Sequence, residues 1–382
     1  MKNNTENGYV FRAIVAILIG VVLVLCVGIA VSGWQSETDG ENSGDNGNTT
    51  ENADNPDGDT DEDTDGTADN NTQNTQKPDI PEVPAPPEFT NSLTGLECKA
   101  EDMSKLPYVF VTDTSAPLYG ISDSELVVEI PTENGTTRYL IYRSNIDGLG
   151  KIGSITYTRN YISAITKFFG GILVANGKDD ILTYNTIATT LHLDLSKRSE
   201  ATYKENGKNI YTDSLLIEQF AEDEGIDTDT FKRLSLPFEF VEFGSSVSGN
   251  TKAEKLVIPY ATGSETALTY NKSTGKYSLY KSGREKVDML TGKTADFTNV
   301  FVLFADTVTY EMASGTETVI KTDTSGSGYY VTNGTLREIR WSVNSSGNLI
   351  FKDLNSDELI VNRGNSYISY FKASVSNSVT FE

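Results

Sequence analysis

Between Ser32 and Thr90 the chain carries sixteen acidic residues against one lysine, with almost no aliphatic side chains. Such a stretch cannot bury enough apolar surface to offset chain entropy. It predicts a disordered, self-repelling tether and confines any folded core to the residues beyond Thr90. The five prolines Pro78, Pro81, Pro84, Pro86 and Pro87 give its end a polyproline II character, a spacer of about 3.1 Å per residue.

Directly before the tether, Ala13 to Val31 are nineteen uncharged, mostly aliphatic residues. At about 1.5 Å of rise per residue this run spans a hydrocarbon core about 30 Å thick. Lys2 and Arg12 precede it and acids crowd the far side, so the positive-inside bias leaves the N-terminus cytoplasmic. A cleaved signal peptide is the competing reading, with Ala30 and Ser32 as the small residues of a cleavage site. Typical signal cores are shorter, about 7 to 15 residues. Cys26 follows Leu25, where a lipid-attachment motif wants a small residue, so the expectation is a single-pass anchor with the body outside the cell membrane.

Charge separates the parts. Of a net −23, the tail contributes +1, the tether −15 and Asn91–Glu382 only −9. The expected organisation is a cytoplasmic tail (1–12), a transmembrane helix (13–31), an acidic linker (32–90), an α/β domain (91–245) and a β-rich domain (246–382). The fold class is α+β, its C-terminal domain mostly antiparallel. Asp57, Asp59, Asp61, Asp63 and Asp65 alternate before Gly66 like half a calcium loop. Thr72 stands where the closing bidentate Glu belongs, so a loosely cation-condensing linker is the reading taken.

The inventory of reactive side chains is short. Cys26 and Cys98 fall in different parts, which leaves no intrachain disulfide, thiolate zinc cluster or C-x-x-C pair. The single histidine, His192, alternates with leucines in Thr190–Asp194 and reads as one side of a short strand. No metal or cofactor is expected, and an acidic body without a basic, aromatic-interleaved patch excludes nucleic acid.

In the first half, Glu125–Ile130 and Arg138–Tyr142 read as strands around an Asn134-Gly135 turn. Tyr157, Tyr161, Ile162, Ile165, Phe168 and Phe169 recur at helical spacing, ended by Gly170-Gly171 before a strand Ile172–Val174. Further helices are predicted over Asp179–Thr190 and Ser214–Ala221. The second half reads as short Tyr- and Val-rich strands from Lys255 to Phe371, with a tight turn at Asn333-Gly334, and suggests an antiparallel meander or sandwich. Gly326-Ser327-Gly328 precedes a strand, not a helix, and reads as a plain turn. With a two-residue loop at Asn134-Gly135, Glu129 faces Leu140 and lies diagonal to Arg138 on one sheet face. That pairing is either an ordinary ion pair or the edge of a polar pocket.

The ordered series Gly120–Glu129, Glu133–Arg138 and Ile152–Tyr161, then Asn209–Thr212 and Gly326 through Asn333-Gly334 to Ile339-Arg340-Trp341, resembles the YerB-like family of bacterial envelope lipoproteins. The resemblance covers nearly all of Tyr108–Phe371. It implies two domains, an extracytoplasmic location and no established activity. Carried over residue by residue, it retains Glu129, Glu133, Arg138, Arg159 and Asn209 as candidate ligand-binding residues. Ala116, Thr156 and Lys208 depart from the family's Arg, Arg and His.

The functional expectation is a membrane-anchored binding or scaffold module of the cell envelope, with a cell-wall or envelope-protein partner and with Arg138 and Arg159 gripping an anionic or sugar ligand. The alternatives are a glycan hydrolase using Glu129 and Glu133 about 5 to 9 Å apart, and a purely structural spacer. The balance leans away from an enzyme.

Overall fold

The computed structural model describes residues 86–382, apart from 104, 133–134, 179–185, 229–235 and 313–314. The apolar run, the calcium-like alternation, Glu133 and most of the helix predicted over Asp179–Thr190 lie outside the described residues. Among those residues no helix is long and apolar enough to cross a membrane.

Strands dominate both halves. The first contains β1 (Tyr108–Asp113), β2 (Leu126–Pro131), β3 (Thr137–Arg143), β4 (Ile152–Ile155), β5 (Ile172–Ala175), β6 (His192–Asp194), β7 (Tyr203–Glu205) and β8 (Asn209–Thr212). The second contains β9 (Glu239–Phe240), β10 (Thr251–Lys252), β11 (Lys255–Pro259), β12 (Glu265–Asn271), β13 (Lys276–Lys281), β14 (Arg284–Glu285), β15 (Asp296–Phe297) and β16 (Asn299–Ala305). It continues with β17 (Thr307–Met312), β18 (Gly315–Ile320), β19 (Ser325–Thr332), β20 (Thr335–Val343), β21 (Leu349–Lys352), β22 (Ile360–Val361), β23 (Ser366–Lys372) and β24 (Thr380–Phe381). The described α-helices are few: a four-residue turn α1 (Ala100–Met103), α2 (Asn160–Phe169) and α3 (Ser214–Asp223). The described part of the chain is mostly β, with few helices, and in the first half β5 lies parallel to both β1 and β6.

A 14-stranded sheet runs through both halves, with β23 lying parallel to β2 on one side and to β16 on the other. The other pairings within the second half are mostly antiparallel, as expected, and β23 is the chief exception. β2, β16 and β23 are buried along nearly their whole length, as strands covered on both faces are. One face packs Val127, Tyr139 and Ile141 against Leu256, Leu268 and Leu279 of a separate six-stranded sheet built around β11–β13. The other packs Val128, Leu140 and Tyr142 against Ile162, Ile165 and Phe169 of α2.

Local signals account for several boundaries. Gly170, at φ 68°, closes α2, and Asp213 caps α3 by accepting the Leu216 N–H at 2.9 Å. Asn333 and Gly334 both take positive φ, as a type I′ turn between β19 and β20 requires. Tyr157 is not helical: α2 starts three residues later, at Asn160. Gly326 and Gly328 are no turn but part of β19, where a Cβ on Gly326 would meet the Phe304 carbonyl at 2.1 Å.

The β2–β3 hairpin departs from expectation by one residue. Ile130 pairs with Arg138, and Glu129 with Tyr139. Thr132 N–H donates to the Thr136 carbonyl at 2.8 Å around a loop of residues 133–135 that ends on Gly135 at φ 74°. Gly135 therefore serves the left-handed position of a three-residue loop. Because side chains alternate, the single-residue shift sends Glu129 and Arg138 to opposite faces.

Candidate functional site

On the face toward the six-stranded sheet, Glu129 is fully buried. Its carboxylate accepts from Lys281 Nζ at 2.7 Å, Thr137 Oγ1 at 2.5 Å, Thr266 Oγ1 at 2.8 Å and the Tyr367 hydroxyl. Lys281 is itself buried and also reaches Thr266 Oγ1 at 3.0 Å. Burial, then the Glu129 charge, pushes the Tyr139, Tyr260 and Tyr367 phenols well above their ordinary value. A carboxylate that accepts from four donors and is shielded from solvent acts as a bolt between the two sheets. Glu129 thus lies on the opposite face of the sheet from Arg138 and outside its cluster.

Arg138 faces the other way, toward α2. Its guanidinium carbon lies 3.7 Å from the centroid of the Tyr157 ring, and that of Arg159 lies 5.2 Å from the same centroid. Arg138 is 6% exposed, and its Nη1 has no hydrogen-bond partner. An ionised group taken out of water without a counter-charge is costly, and stacking on an aromatic face offsets only part of that cost. Arg159 is 7% exposed, with Nη1 3.7 Å from a carboxylate oxygen of Glu317 on β18. Tyr157 is 36% exposed and forms the open side of the cluster.

Arg159 is also the N-cap residue of α2, in extended conformation and without a side-chain cap. A ten-residue helix concentrates partial positive charge at its first turn. Two guanidinium groups, one exposed aromatic ring and an uncapped helix end therefore meet at one place. Such an arrangement suits an anion: planar forks match carboxylate or phosphate oxygens, and the helix end adds to the field.

The remaining candidates lie apart. Asn209 opens β8, three strand spacings from β3 through β1 and β4, at least about 14 Å from Arg138. Lys208 lies in the turn between β7 and β8, while Thr156 donates its N–H to the Val111 carbonyl at 2.8 Å. Ala116 lines a separate open cleft of about 650 Å³ with Thr136, Lys281 and Lys286. Burial and the neighbouring Lys281 charge lower the pKa of Lys286. His192 sits on β6 with Nδ1 2.9 Å from the Thr190 carbonyl, a local contact. Among the described residues no cluster of His, Cys, Asp or Glu could hold a metal ion.

Lys281 and Tyr157 are the residues that sequence reasoning missed. Nothing near Lys281 announces a partner 152 positions earlier. Tyr157 carried a signal in its place two residues before Arg159, masked by its agreement with the helical period.

Residues 93–227 match the model of the N-terminal domain of a protein of unknown function, DUF3048, and residues 256–368 match the C-terminal domain of the same family. The fold is similar to the crystal structure of YerB protein from Bacillus subtilis, with a TM-score of 0.67 at 18% identity over 77% of this chain and 100% of that one. No curated protein matches.

Proposed function

We propose that this chain, which belongs to the DUF3048 family of YerB-like two-domain proteins of unknown function, is a binding module held outside the cell membrane. Its ligand is an anion taken at the N-terminus of α2 by Arg138, Tyr157 and Arg159. The single observation that carries the reading is the buried Arg138 guanidinium, stacked on a half-exposed ring and lacking an acceptor for Nη1. A purely structural arginine at that depth would pair with a carboxylate or carbonyl of the fold. The location rests on the apolar run Ala13–Val31 and the acidic tether behind it, which together suit a body displayed at a distance from the bilayer.

Isothermal calorimetry of sodium sulfate into the full-length protein in detergent tests the site. A saturable heat that disappears in Arg138→Ala supports it. No heat with wild type, or equal heat with the variant, rejects it. Protease accessibility of the body in intact cells tests the location separately.

A further inference from the structure

One residue beyond Arg159 lies a groove whose walls differ in chemistry from the arginine pair. This groove, of about 300 Å³, lies between the first turns of α2 and the β17–β18 hairpin, and its lining includes Asn160, Tyr310, Val319, Lys321, Thr322 and the acidic Asp323. Both walls lead back to the arginines. Asn160 follows Arg159 directly, and Tyr310 is the cross-strand partner of Glu317, whose carboxylate lies 3.7 Å from Arg159 Nη1.

We infer that the ligand is a saccharide bearing a carboxylate, with its acid group on Arg138 and its ring or rings in this groove. This assignment rests on the anion site proposed for Arg138 and names the chemical class of its ligand. Three features select it. Glu317 already brings a carboxylate to Arg159, so the site accommodates that planar group, and the guanidinium fork matches its two oxygens. Tyr310, part-exposed on β17, offers an aromatic face of the kind that covers the C–H face of a pyranose. Asn160, Thr322 and Lys321 supply donors and acceptors for hydroxyl groups, which a wholly apolar ligand body would leave unpaired. A bare inorganic anion would use the arginines and ignore the groove.

The test titrates full-length protein in detergent with trigalacturonate, maltotriose and acetate, following binding by calorimetry. Trigalacturonate binds about tenfold or more tighter than acetate, and maltotriose gives no saturable heat. Arg138→Ala abolishes trigalacturonate binding, Tyr310→Ala reduces the preference for trigalacturonate over acetate, and Glu317→Gln strengthens binding by removing the resident carboxylate. Equal affinity for acetate and trigalacturonate, both lost in Arg138→Ala, overturns the saccharide inference and leaves the anion reading standing. Maltotriose binding as tightly as trigalacturonate, or a preference unmoved by Tyr310→Ala, also overturns it. The absence of binding by all three, together with no heat from sulfate, overturns both readings.

Discussion

Lys281 Nζ stands 2.7 Å from Glu129 Oε1 with both side chains sealed from solvent, and the pair bolts β13 of the six-stranded sheet to β2 of the central one. Removing either partner strands the other as a buried charge. Glu129→Ala or Lys281→Ala is therefore expected to cost about 3–5 kcal/mol, whereas the double replacement Glu129→Leu/Lys281→Met costs much less than the two single changes together. Urea unfolding of the four proteins closes the cycle. Additive losses would show that the pair is not coupled.

A second tie between the halves runs through Asp288. Its fully buried carboxylate accepts the N–H of Gly120 at 3.1 Å, the N–H of Ser122 at 2.9 Å and Ser122 Oγ at 2.7 Å. Asp288→Ala leaves these donors buried and unpaired, at about 1–3 kcal/mol for each such group. The expected signature is a lowered melting temperature with faster amide exchange at Gly120 and Ser122. Unchanged exchange at those two amides would refute the assignment.

The buried phenols set an alkaline limit. Burial holds Tyr139, Tyr142, Tyr260 and Tyr367 well above their ordinary pKa, reinforced by the Glu129 charge at all but Tyr142. In the unfolded chain they ionise near 10, so their stabilising contribution is whole below that pH. It falls as pH rises toward the folded values, by up to about 1.4 kcal/mol per group per pH unit. Lys286 acts in the opposite sense, because a lowered amine pKa adds stability as pH rises toward 10.5, but it is one group against four. Absorbance at 295 nm should show these phenolates appearing only with loss of the near-ultraviolet dichroism. Their titration near pH 10 in a still-folded protein would contradict the account.

Most strands of the second half were legible because each is a short β-branched or aromatic run closed by Gly, Asn or Ser, as at Leu349–Lys352. Their order in the sheet was not legible. The parallel placement of β23 between β2 and β16 depends on contacts across more than 60 and 230 residues of chain, which no local pattern encodes. The site was half legible for a similar reason. Arg138 and Arg159 were picked out and do meet, but their relation to Glu129 hung on whether Gly135 closes a loop of two residues or three. Asn-Gly beside strands satisfies either geometry, and the choice decides which face each side chain occupies.

If Arg138 takes an anion at the N-terminus of α2, anomalous diffraction from crystals of the protein grown in sodium selenate will reveal it. The account predicts a selenium peak within hydrogen-bond distance of Arg138 Nη1, beside the Tyr157 ring, and its loss in Arg138→Gln. A map with no peak there, and with Nη1 bonded instead to a protein carbonyl or carboxylate, would contradict it.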